Sequence, residues 1–223
     1  MFGEIGFYLS SPSNRAKVAD LLGEHVYLAI VPVLAGIMIA VPLGSAARSR
    51  RVVRNAVQGA ANVLYTVPSL ALFVAMPGIL GTGILDPLNV VVALTVYTAA
   101  LLIRPVMDAL DAVPSHVVAA ATAMGYRPAR RFAAVELPLA VPVLIAGVRV
   151  ATVSNISLVS VGALIGVGGL GQLFTEGFQT RYEAPILIGI VLTLVLALIV
   201  DVLLLVVRRG LTPWTRLGVG AVS

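Results

Sequence analysis

The sequence predicts an all-α polytopic membrane protein with about five transmembrane helices. Hydrophobic residues make up 59% of the 223-residue chain and charged residues only 11%, whereas a soluble domain is about 25% charged. The mean hydropathy of +1.04 is too apolar for a chain that must cover its own surface with solvated groups. The apolar residues also gather in blocks of about 20, the length a helix needs to cross about 30 Å of hydrocarbon. A soluble enzyme and a disordered chain are excluded on these grounds. The absence of cysteine excludes disulfides, thiol catalysis and Cys-zinc sites.

In chain order, residues 1–25 read as a short extracellular lead-in, amphipathic or irregular. The run Ser10-Ser11-Pro12-Ser13-Asn14-Arg15 breaks any continuous apolar stretch there, so a cleaved signal peptide is not expected. Spans are expected at residues 26–47, 56–80, 88–107, 141–162 and 185–207. They form one transmembrane domain, 26–207, followed by a cytoplasmic tail, 208–223. Interior prolines (Pro32, Pro42, Pro68, Pro77, Pro105 and Pro142) each free a carbonyl that a neighbouring helix, hydroxyl or water must satisfy.

The pI near 10.1 reports membrane orientation instead of nucleic-acid binding. Arg48, Arg50, Arg51 and Arg54 follow the first span. Arg104 in the last turn of the third span is followed, before the fourth, by Arg127, Arg130 and Arg131, and Arg208, Arg209 and Arg216 follow the fifth. Arg15, Lys17 and Arg181 fall on the other side. The positive-inside rule then places the N-terminus outside and the C-terminus in the cytoplasm.

Between the third and fourth spans, residues 113–137 read as a cytoplasmic hairpin. Pro114 opens a first helix rich in alanine and Gly125 closes it as a C-cap. Pro128 fits the first turn of a second helix, 129–136, expected to stop before Pro138. Val117, Val118, Ala121 and Met124 can share an apolar face that asks for a partner protein or the membrane surface.

The hairpin carries a resemblance. AAATAMG (119–125) followed by VELP (135–138) resembles the EAA loop of ABC-importer permeases. HVYLAI…AVPLG (25–44), TVPSLALF (66–73), LPLAVPVLIAGVRVATV (137–153), LIGVGGLG (164–171) and LTPW (211–214) are similar to osmoprotectant permeases for glycine betaine, carnitine or choline. The resemblance implies a type I ABC importer permease (MetI-like) architecture in a bacterial plasma (inner) membrane. It implies a second permease chain, as a copy or a homologue, two cytoplasmic ATPase subunits and an extracellular substrate-binding protein. ATPase coupling would fall to Ala119, Ala120, Ala121, Met124, Gly125, Arg127 and Pro138. Ala119 stands where the family pattern has an acidic residue. Methionine and other small-solute permeases share this plan and remain alternatives, as does the separate class of secondary transporters and channels.

Other constellations carry less. Gly166-x-Gly168-x-x-Gly171 matches a dinucleotide fingerprint by letter, but it follows an apolar span instead of a strand and reads as a close-packed extracellular turn. No G-x-x-x-x-G-K-[ST] occurs, so ATP hydrolysis belongs to a partner. His25 and His116 fall on opposite sides of the membrane as interfacial polar residues, so no metal site is expected, nor any catalytic residue or cofactor. Arg149 and Asp201 are charges about two turns inside their spans, at similar depth, and are expected to pair, with a proton relay or substrate contact as the alternative. Asn62, Thr66 and Ser69 in the second span and Thr152, Asn155 and Ser160 in the fourth either line a weakly polar pathway or bond helix to helix. With 6% aromatics and one tryptophan, Trp214, a cation-binding aromatic cage is not expected. Tyr65, Tyr97 and Phe73 read as scattered.

Overall fold

The computed structural model describes residues 2–216, and the elements among them are helices. Residues 217–223 of the expected tail lie outside the described residues. Helix α1 (Phe2–Ser10) is followed at once by α2 (Pro12–Ala47). The expected lead-in is therefore helical, and residues 12–25 continue into the first span. Pro12 permits this because a first-turn residue has no intrahelical N–H bond to lose. On this end, Tyr8 and Leu21 pack with Leu170, Leu173, Ala184 and Ile188.

The expected second span is two helices, α3 (Arg51–Thr66) and α4 (Ser69–Leu80), bent by 100°. Pro68 is the cause. It disfavours helical backbone at the preceding residue, and Val67 is extended (φ −64, ψ 128). The Tyr97 hydroxyl donates to the Val67 carbonyl that the break leaves free. The pair still runs along one neighbour, α5 (Pro87–Asp111). Ala61 of α3 packs in a cluster with Ala100, Ile103 and Val106, whereas Phe73 and Met76 of α4 pack with Val90 and Leu94.

Helix α5 is the most buried of the long apolar helices. Its start is fixed by Asp86, whose carboxylate accepts from the Leu88 N–H at 2.9 Å, with Pro87 in the first turn. It packs against α2, α3, α4 and α8 (Leu137–Gly162). Gly36 and Gly44 let α2 approach: a Cβ at either would run into Thr98 or Val106 of α5. The hairpin helices α6 (Ser115–Ala123) and α7 (Pro128–Arg131) lead through a π turn, Phe132–Glu136, into α8. After α8 come a glycine-rich turn, α9 (Gly171–Thr180) and α10 (Glu183–Leu211). Among the described residues, four helices are long and apolar enough to cross a membrane, or five with the bent α3–α4 pair counted as one span.

His25 is fully buried instead of interfacial. Its Nδ1 accepts from the Leu170 N–H at 3.2 Å, so the ring proton sits on Nε2, which donates to the Ile156 carbonyl at 3.0 Å. One side chain thus ties α2 to α8 and to the glycine-rich turn. Position 25 alone gave no sign of this, because the partners are backbone groups about 130 and 145 residues away.

Candidate functional site

The hairpin is built from two turn motifs. Gly125 has φ +81, the left-handed conformation that a side chain opposes. The Tyr126 N–H bonds the Ala121 carbonyl at 3.1 Å and the Gly125 N–H bonds that of Thr122 at 3.0 Å, which is a Schellman ending for α6. No atom lies within 4 Å of a Cβ added at Gly125, so backbone strain, not crowding, excludes other residues there. Arg127 is extended and precedes Pro128, which opens α7.

The second helix does not stop before Pro138. It passes through the π turn, in which the Leu137 N–H bonds the Phe132 carbonyl, and Pro138 occupies the first turn of α8. The wider turn absorbs the N–H that proline lacks and the clash of its ring with the preceding turn. It also aligns residues five apart, which in an α-helix lie about 140° from each other. The Arg131 Nε therefore donates to Glu136 Oε1 at 2.9 Å.

Glu136 is the hub of this region and is only 2% exposed. Its other oxygen accepts from Arg48 at the end of α2. Arg48 also donates to the Leu110 carbonyl of α5, and Arg131 to the Thr122 hydroxyl of α6, each at 2.9 Å. Five segments converge on one carboxylate and its two arginines. The motif VELP contains Glu136, but its partner Arg48 is 88 residues away, so sequence reasoning counted Arg48 only as an orientation signal.

Burial assigns the faces of α6. Ala121 is 1% exposed, and Val117 and Val118 are half-buried, so that side of the expected apolar face points into the protein. Ala119, Ala120, Ala123 and His116 are exposed, and Met124 is 70% exposed. The small-residue surface open to a partner is therefore centred on Ala119, Ala120 and Ala123, not on Ala121.

Within the spans, Arg149 of α8 and Asp201 of α10 form a bidentate pair, with Nε to Oδ1 at 2.7 Å and Nη2 to Oδ2 at 2.6 Å. Such a fork satisfies both charges at once. Thr152 and Asn155 are buried. Thr152 bonds back to the Val148 carbonyl at 2.7 Å, and Asn155 donates to the Thr98 hydroxyl of α5 at 2.8 Å. Asn155 thus ties α8 to α5, whereas Thr152 bonds only within α8, and neither is exposed. Ser160 is half-buried, and its hydroxyl has no partner among the described residues. On α3, by contrast, Asn62 and Thr66 are exposed, and Ser69 at the start of α4 is half-buried. No group of His, Asp and Glu able to hold a metal occurs among the described residues.

Hairpin, helix order and buried hub can be set beside known proteins. The family described as "Binding-protein-dependent transport system inner membrane component" matches residues 33–213. The chain belongs to this family.

This permease is 32% identical over 211 residues to the glycine betaine/carnitine/choline transport system permease protein OpuCB of Bacillus subtilis, covering 95% of this chain and 96% of that one. It is 34% identical over 203 residues to the osmoprotectant import permease protein OsmW of Salmonella typhimurium, covering 90% and 94%. A chain of the MetNI methionine ABC transporter, solved in an inward-facing conformation, matches with a TM-score of 0.79 at 25% identity, over 91% of this permease and 99% of that chain. The permease thus has the type I ABC importer architecture and is a multi-pass inner-membrane subunit.

Proposed function

We propose that this permease, paired with a second permease chain, forms the membrane pathway of an ATP-driven importer for a small osmoprotectant such as glycine betaine, choline or carnitine. The near full-length similarity to permeases named for those solutes carries this reading. ATP hydrolysis falls to two cytoplasmic ATPase subunits docked on the exposed face of α6, and an extracellular binding protein delivers the solute. The pathway runs past the exposed polar face of α3, with Asn62 and Thr66. The match to a methionine transporter makes methionine the competing solute. Membranes containing the permease with its partners should take up labelled betaine, choline or carnitine and not methionine. Uptake of methionine alone would reverse the assignment.

The arginine distribution supports an outside N-terminus and a cytoplasmic C-terminus. The natural absence of cysteine gives a clean background for testing this. An impermeant thiol reagent applied to intact cells should label Asp86→Cys and Arg181→Cys and leave Arg50→Cys and Arg130→Cys unmodified. The reverse pattern contradicts the orientation.

A further inference from the structure

The structure brings together, between α3 and α5, groups that look unrelated in the sequence. Gln58, Asn62 and Arg104 line one cleft of about 60 Å³, room for roughly two waters at about 30 Å³ each or for one carboxylate group. The Arg104 side chain is 80% exposed, and its ionic neighbour Asp108 lies 3.7 Å away, too far for a hydrogen bond. Asp108 is also shared with Arg54 at 3.8 Å. The guanidinium donors of Arg104 are therefore open. They lie seven residues inside the end of α5, about 10 Å along the helix, where a cation needs water or a counter-charge.

One turn further along α3 from Asn62 stands Tyr65. Positions 58, 62 and 65 share a helix face. Tyr65 is 47% exposed, and its ring meets Tyr97 of α5 edge-on at 5.9 Å. Tyr97 is buried and anchored to the Val67 carbonyl, so it braces Tyr65. Two of the aromatics that look scattered in the sequence are thus neighbours, whereas Phe73 is fully buried in the core.

We propose that this cleft is a transient contact site for a zwitterionic solute: Arg104, with Gln58 and Asn62, takes the carboxylate, and the Tyr65 ring takes the methylated ammonium. The chemistry matches at both ends, because a guanidinium binds carboxylate through charge-assisted bonds and an aromatic face attracts a quaternary cation. A single exposed ring gives weak binding, which suits a site that must release its solute. The inference rests on the osmoprotectant reading. It adds that this permease distinguishes carboxylate-bearing solutes (betaine, carnitine) from choline, which has none.

The test is uptake by the assembled transporter, with its binding protein saturating, for betaine and for choline. R104Q should raise the KM for betaine about tenfold, the loss of one charge-assisted contact, and leave that for choline nearly unchanged. R104K should recover part of the loss, as a point charge without the planar fork. Y65L should weaken both solutes, and Y65F, which keeps an aromatic face, should weaken them less than Y65L does. Equal losses for both solutes in R104Q, or none, would overturn the proposal. If the unmodified assembly carries betaine alone, a KM rise in R104Q relieved by R104K supports the site, and an unchanged KM overturns it. Uptake of neither solute refutes the osmoprotectant reading itself, a result distinct from a flat response in R104Q.

Discussion

Glu136→Ala should release the base of the hairpin. The substitution leaves Arg48 and Arg131, each with a side chain 25% exposed, without their common counter-charge. Breaking a buried pair by removing one partner costs about 3–5 kcal/mol, and the partial exposure of both arginines places this case toward the lower end. Arg131 would also lose the restraint that holds it against Thr122 of α6, so the damage spreads into the hairpin. Melting of the purified permease should shift to lower temperature. Trypsin should cut more readily after Arg130 and Arg131, whereas the Arg127–Pro128 bond resists it in any state. Glu136→Gln keeps the shape and loses the charge, so it should fall between Glu136→Ala and the unmodified protein. Unchanged melting and unchanged cleavage in Glu136→Ala would show that the ion pairs are incidental to the placement of the hairpin.

Much of the fold was legible because the bilayer imposes long apolar runs on the sequence. Helices α2, α5, α8 and α10 announce themselves by length and hydropathy. The hairpin was legible too, because Pro114, Gly125 and Pro128 act through local backbone rules. What escaped sequence reasoning depends on distant partners or on competition between local rules. Pro68 was visible, yet whether it kinks a span or divides it depends on Tyr97 being in place to satisfy the freed carbonyl. Pro138 reads as a helix stop, and a π turn overrides it. Thr152 and Asn155 have the polarity of pathway residues, and only packing against α2 and α5 reveals that they are buried. Val117, Val118 and Ala121 read as one apolar face, but such a face looks the same in sequence whether a partner or this chain's own core covers it. Glu136 could have been suspected from one signal: a lone carboxylate beside an apolar span, at an end crowded with arginines.

The inward placement of Ala121 decides how coupling must be tested. A glutamate at position 121 would put a charge into packed surroundings and unfold the hairpin, which confounds the result. Ala120, about 100° round the helix from Ala121, is exposed, and Ala120→Glu should leave α6 folded, since glutamate is a good helix former. Against an ATPase surface the same side chain adds bulk and a charge that docking would desolvate. The most direct measurement purifies the permease with its ATPase, with and without Ala120→Glu, and follows ATP-driven betaine uptake by the same preparations in vesicles. The variant should insert and pair as the unmodified chain does, while retained ATPase and uptake fall together, each by about tenfold or more for the loss of an interface centre. Full ATPase retention with uptake at the unmodified rate would contradict coupling through this helix.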